Sequence, residues 1–215
     1  LINKYIKDCQ YYGQILIIML YFYGKGGKML KKYHKIVIIT LVFISLSLGL
    51  CCAKTFPQKP KILFNNQALN PIIDLIENAT ETIDIQMFSF TNYDPIIQAI
   101  KKSAQKGVEI RIYADNQDAN NPQKKNKEGK ILGLPEADLE ELGVQIRWET
   151  SSKYMHRKIA IFDQENFIIG STNWTKNGFQ ENDEADIVMS DCDIACQLAE
   201  QFEKDWQKSS QNFSK

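Results

Sequence analysis

Apolar residues recur along this chain in short bursts separated by polar breaks. Residues 61–64 read as a strand and 71–78 as a helix. Residues 82–88 read as a strand, in which Ile83, Ile85 and Met87 alternate with Asp84 and Gln86. Ile96, Ile97 and Ile100 give 95–105 helical spacing, and Gly107 closes it. A strand over 108–114 ends at Asp115 and is followed by a long polar loop, 116–133. Then come a short helix over 135–142, a strand over 144–148, a strand over 184–189 and an amphipathic helix over 193–206. Strands alternating with helices predict an α/β class, a mixed β-sheet flanked by helices.

The stretch 156–173 lies between those elements and carries the sharpest pattern. It alternates apolar and polar residues, breaks at Asp163-Gln164-Glu165-Asn166, runs apolar again and stops at Gly170, which reads as a β-hairpin. A two-residue turn at Gln164-Glu165, closed by Asp163 and Asn166, pairs positions whose numbers sum to 329. Lys158 then faces Ser171 and His156 faces Asn173, so all four project from one face with opposed Cβ atoms ~5 Å apart. The turn assignment carries this expectation, because a one-residue slip would turn part of the set away.

Such a cluster suits a phosphate. Lys158 supplies a fixed positive charge, and Asn173 and Ser171 supply neutral donors for oxygens whose charge grows in the transition state. His156 is the natural nucleophile or proton donor near neutral pH. A lone His-x-Lys is ordinarily a solvated surface pair, and it is the whole string that argues for chemistry.

That string, His-x-Lys, four residues, Asp, six residues, Gly-Ser-x-Asn, resembles the signature of the phospholipase D superfamily. Trp174-Thr175 and the acidic Glu184 beyond it resemble the single-motif branch, which holds bacterial Nuc-type endonucleases and mitochondrial phospholipase-D-like proteins. The resemblance spans about residues 61–206. It implies the α/β sandwich of that superfamily with one catalytic motif per chain. It further implies that His156 attacks phosphorus to form a phosphohistidine, that Lys158 and Asn173 bind phosphate oxygens with Ser171 assisting, and that Glu184 orients the histidine. Asp163 and Gly170 match motif positions for which a structural role is expected.

Two-step hydrolysis needs an acid for the leaving oxygen as well as a nucleophile. The chain has two histidines, His34 and His156, and no second copy of the motif. A twofold homodimer with a shared active site is therefore expected, one His156 attacking while the other protonates the leaving group. A monomer using Glu184 or water as acid is the alternative.

Charge changes the picture modestly. Residues 54–215 carry 19 Lys+Arg against 25 Asp+Glu, a net of −6, so the bulk field does not advertise nucleic-acid binding. Lys124 and Lys125, with Lys127 and Lys130, fall in the 116–133 loop, and Lys153 and Arg157 flank the motif. These are candidate substrate contacts, the other reading of the loop being a solvated segment. Phe88, Phe90 and Tyr93 are candidate stacking residues or core, and Trp148 and Trp174 candidate walls of the site. Cys192 and Cys196 lack further ligands at zinc-site spacing. No cofactor is implied, and catalysis is expected to be metal-independent.

The N-terminal quarter reads differently. Lys31, Lys32 and Lys35 precede a fifteen-residue uncharged run over 36–50 and then Cys51-Cys52-Ala53. Residues 29–53 thus read as a signal peptide cleaved after Ala53, or as a retained membrane anchor, leaving 54–215 as the catalytic domain on the outer side of a membrane. Gly24-Lys25-Gly26-Gly27-Lys28 before Met29 back-translates to a purine-rich run like a ribosome-binding site, so Met29 is read as the start and 1–28 as a mis-called upstream extension. A nuclease acting on DNA or RNA, a phospholipase acting on lipid headgroups, and a non-catalytic binder are the competing functions. The intact motif disfavours the binder.

Overall fold

The structure, a computed structural model, describes residues 59–213. The leader over 29–53 and the extension over 1–28 lie outside the described residues. Seven strands form one mixed sheet in the order β1-β7-β6-β5-β2-β3-β4. They are β1 (Lys61–Phe64), β2 (Thr82–Met87), β3 (Glu109–Ala114), β4 (Gln145–Trp148), β5 (Lys158–Phe162), β6 (Asn166–Gly170) and β7 (Ala185–Ser190). The helices are α1 (Leu69–Asn78), α2 (Asp94–Gln105), α3 (Glu136–Glu140), α4 (Lys176–Gln180) and α5 (Cys192–Trp206). The strands and the longer helices fall where hydrophobic periodicity predicts them, whereas the five-residue α4 has no such signal. The β2–β3–β4 half is parallel, with α2 on the crossover, and β5, β6, β7 and β1 are joined antiparallel.

The pleat sorts the strands onto two faces. One carries Ile83, Ile85, Met87, Ile110, Ile112, Ala160, Phe162 and Ile168, and it buries them with Ile72 and Ile76 of α1 and Ile96, Ile97 and Ile100 of α2. The other carries Asp84, Gln86, Arg111 and Tyr113, and α5 packs there through Phe202 and Trp206, in a cluster with Tyr113 and Met155. Arg111 grips Asp84 through two bonds of 2.7 and 2.8 Å, reaches Glu203 of α5 at 2.9 Å, and lies 4.8 Å from the Phe202 ring centre. The charge buried on this face is therefore paired, as the low dielectric demands. Ile62, Ile187 and Ile169 stand in register across β1, β7 and β6 on the same face, and they remain partly exposed.

The hairpin departs from expectation by one position. Phe162 pairs with Asn166 and Ile159 with Ile169, so paired positions sum to 328. Asp163 and Gln164, not Gln164 and Glu165, occupy the centre of the turn, both left-handed at φ 53° and 54°, and the Glu165 amide donates to the Phe162 carbonyl at 3.1 Å. The cause lies elsewhere in the chain. The Asp163 carboxylate accepts from the backbone amides of Thr80, Glu81 and Thr82 at 2.8–2.9 Å and from the Thr80 hydroxyl. This clamp supports a backbone conformation that a non-glycine residue seldom adopts.

Candidate active site

Three strand ends and one loop converge at one end of the sheet. Lys158 opens β5, pairing with Met87 at the end of β2, and is only 7% exposed. Its Nζ donates to the His156 carbonyl at 2.8 Å, lies 3.2 and 3.3 Å from the two imidazole nitrogens, and sits 4.7 Å from the centre of the Phe88 ring. Burial pulls this ammonium below the usual lysine range, while the negative charges of Glu184 and Asp115 act in the opposite sense. The Phe88 ring also packs on His156, with centres 4.3 Å apart, and His156 itself is solvent-exposed. A histidine open to substrate thus stands beside an ammonium held almost out of water.

With the register at 328, strand alternation alone would leave Ser171 and Asn173 on the wrong face. They reach the site because the chain leaves the sheet after Gly170. The Ser171 amide donates to the Ala185 carbonyl at 3.1 Å, and the Thr172 amide and hydroxyl both donate to the buried Asp186 carboxylate, the amide at 3.2 Å. Asn173 accepts from the Ser89 amide through Oδ1 at 3.1 Å, which leaves its Nδ2 group as the donor for a phosphate oxygen. The segment after β2 therefore touches both halves of the motif, through Phe88 on His156 and through Ser89 on Asn173. Burial raises the Asp186 pKa against the opposing hydrogen bonds from Thr172. Gly170 pairs with Asp186, and a Cβ at Gly170 would fall against that carboxylate and the Ala185 carbonyl.

The remaining candidates divide. Glu184 accepts from the Ser171 hydroxyl and from Asn182 at 3.0 Å, so within one chain it organises Ser171 and does not bond His156. Trp174 is not a wall of the site: it is 2% exposed and packs against Phe90, itself fully buried, with ring centres 5.4 Å apart. Trp148 is likewise core, its indole N–H donating to Glu136 at 2.9 Å. Arg157 turns to the α5 side and pairs with Asp205, because β-alternation sends it opposite to His156 and Lys158. Lys124 is exposed and paired with Asp118. Lys125 bridges Ile131 through its backbone, and it and Lys153 are exposed. Asp163 is occupied by its clamp on the turn. Among the described residues no group of three or more His, Cys, Asp or Glu side chains is placed to hold a metal ion.

Several supports of the site carry little signal in the sequence. Asn120 is fully buried, accepts from the Phe90 amide at 2.8 Å and donates to the Phe88 and Asp115 carbonyls at 2.8 and 2.7 Å. Asp115 accepts from the Met155 amide at 2.7 Å. The one available signal was position, since Asp115 directly follows a parallel strand, where functional loops gather. Thr172 and Asp186 had no signal, one being the variable residue of the motif and the other a polar residue inside a strand.

The geometry has counterparts. A family model described as "Cardiolipin synthase, PLD-like domain" matches residues 72–206. Over 139 residues the chain is 31% identical to the mitochondrial cardiolipin hydrolase of Chlamydomonas reinhardtii, covering 65% of this chain and 57% of that protein. It is 30% identical to the Homo sapiens mitochondrial cardiolipin hydrolase over 142 residues, 66% of this chain and 52% of that one. The chain thus spans little more than half the length of these relatives. Among solved structures, the phospholipase D family member Nuc from Salmonella typhimurium superimposes with a TM-score of 0.60 at 21% identity, covering 73% of this chain and 100% of that one. NucT from Helicobacter pylori gives a TM-score of 0.57 at 23% identity, covering 71% and 99%. At these identities the superpositions establish the fold.

Gly170→Ala is expected to cost activity far more than secondary structure. The added methyl would meet the Asp186 carboxylate and the β7 backbone at Ala185 and Asp186, so the end of the β6–β7 ladder shifts and releases the Ser171–Asn173 bend, while the other strand pairs keep their partners. Turnover falling at least about tenfold with unchanged far-ultraviolet circular dichroism checks it, and overpacking of this kind should lower stability by about 1–3 kcal/mol in urea unfolding.

Proposed function

Because this chain belongs to the phospholipase D-like domain family, we propose that it is a phosphodiesterase working through a phosphohistidine at His156, most simply a metal-independent endonuclease. The observation that carries the reading is the buried Lys158 ammonium within 3.2–3.3 Å of both imidazole nitrogens of an exposed histidine. An imidazole nitrogen of His156 attacks phosphorus, the bond from phosphorus to the leaving oxygen breaks, and an acid protonates that oxygen. Water then attacks the phosphohistidine, giving its proton to the group that acted as acid and releasing the phosphate monoester. Lys158 and Asn173 neutralise and orient the non-bridging oxygens throughout. Glu184 accepts a hydrogen bond from the Ser171 hydroxyl while that oxygen accepts from the Ala185 amide at 3.0 Å, so the pair fixes Ser171 in place after the motif glycine.

The acid in this proposal is His156 of a second copy, since the sequence offers otherwise only His34. A twofold pair with facing motifs supplies it. The second reading is hydrolysis of a lipid headgroup diester, favoured by the similarity to proteins named mitochondrial cardiolipin hydrolase. Export through residues 29–53, as a cleaved leader or a retained anchor, belongs to the same proposal and rests on sequence pattern alone.

Four outcomes test it. His156→Ala should lose about 10⁴-fold or more in turnover, assayed in EDTA on single-stranded DNA, duplex DNA, RNA and cardiolipin vesicles. Activity that vanishes in EDTA and returns with a divalent ion would overturn metal independence, and turnover of lipid alone would select the second reading. The alkaline limb of kcat/KM should fall below the ordinary lysine pKa, because Lys158 is an ammonium depressed by burial and its charge is lost as pH rises through that value. Glu184→Gln removes a neighbouring negative charge that holds the ammonium up, and should move the limb to still lower pH. Sedimentation at assay concentration should find a dimer, and a fully active monomer would refute the shared site.

A further inference from the structure

We propose that Tyr154 is a specificity-determining residue that stacks on an unpaired base next to the scissile phosphate, making single-stranded nucleic acid the preferred substrate. The inference rests on the phosphodiesterase reading of His156 and names the substrate class for that same site. Tyr154 is 72% exposed, the most exposed large side chain among those of apolar character in the described residues. It stands two residues before His156 and packs edge to face on Phe88, with ring centres 5.9 Å apart and planes at 86°. Phe88 in turn lies 4.3 Å from the His156 ring. An aromatic shelf therefore runs outward from the nucleophile, with Phe88 as its half-buried inner end and Tyr154 as its open outer end.

The backbone beneath this shelf is pinned although the ring is not covered. Met155 is 4% exposed in the cluster with Tyr113, Phe202 and Trp206, and its amide donates to Asp115 at 2.7 Å. The Phe88 amide donates to the Arg157 carbonyl at 2.9 Å, tying the inner end of the shelf to the residue after the histidine. A ring whose main chain is fixed offers contact area at small entropic cost, which is how tyrosine serves recognition surfaces. Nothing in the core requires Tyr154, because its partner Phe88 is already packed by His156 and Lys158.

The chemistry of the shelf chooses the occupant. A nucleobase has two π-faces and a polar edge, and it matches a phenol ring standing in water. Acyl chains would require a continuous aliphatic wall, and the exposed ring beside the site is aromatic with a hydroxyl. A base inside a duplex has both faces already stacked, so the shelf favours an unpaired strand. Because every base has a π-face, the preference is tolerant of sequence.

The test compares the full chain with Tyr154→Ala, Tyr154→Phe and Tyr154→Trp on a labelled oligothymidylate and on a matched oligomer with abasic sugars throughout. Stacking on one base predicts that Tyr154→Ala raises KM for oligothymidylate about 5- to 150-fold with kcat nearly unchanged. Phe and Trp should retain wild-type KM, and all four proteins should handle the abasic oligomer alike. Wild-type cleavage of oligothymidylate that Tyr154→Ala matches, or an equal loss on both oligomers, overturns the shelf and leaves the phosphodiesterase reading standing. Wild-type protein that leaves both oligomers intact overturns the nuclease reading and the shelf together.

Discussion

A single carboxylate decides where the catalytic hairpin turns. Asp163 takes three consecutive backbone amides, those of Thr80, Glu81 and Thr82, and thereby ties the β5–β6 turn to the start of β2. Charge-assisted bonds of this kind are stronger than neutral ones, and three of them outweigh the cost of two left-handed non-glycine residues. Once the turn is fixed, each partner in β5 and β6 follows by counting. Lys158 lands at the mouth of the sheet beside Met87, and Gly170 lands against Asp186. The site is thus set from the end of the sheet opposite to the chemistry.

Much of this was legible beforehand, and the omissions share a cause. Period-two alternation in 82–88 and the helical spacing of Ile96, Ile97 and Ile100 marked β2 and α2, because burial on one face leaves a periodic trace. The motif residues His156, Lys158 and Asn173 were legible as types, and the structure brings His156 and Lys158 into contact. The register was not legible, since the group that sets it, Asp163, bonds residues 81 to 83 positions earlier. Trp174 looked like a site wall because it adjoins the motif in sequence, yet Phe90, brought over by a bridge between the two backbones, buries it. Arg157 looked like a phosphate ligand for the same reason, and Asp205 of a distant helix claims it. Each miss is a local reading overruled by a long-range contact.

The position of Lys158 also resolves an apparent conflict between charge and burial. An ammonium at 7% exposure carries a large desolvation cost. The His156 carbonyl, the face of Phe88 and the nearby Glu184 and Asp115 charges offset it in part. What remains is a cation poorly solvated by water and therefore strongly attractive to an arriving anion. Acidic residues outnumber basic ones over 54–215, so this attraction acts at short range within a net negative domain.

The joint role of the Phe88-Ser89 pair has a wider consequence. One dipeptide packs the histidine ring and holds the asparagine amide, so the groups proposed to handle phosphate form a unit braced by sheet ends and by the buried Asn120. Lys153, Lys124 and Lys125 belong instead to exposed loops outside that unit, whereas Tyr154 leans on its Phe88 ring. The braced unit and the outlying lysines are thus separable parts of the chain. A scaffold divided in this way can change the charge around its mouth by replacing loops, while the histidine, lysine and asparagine stay braced as one unit.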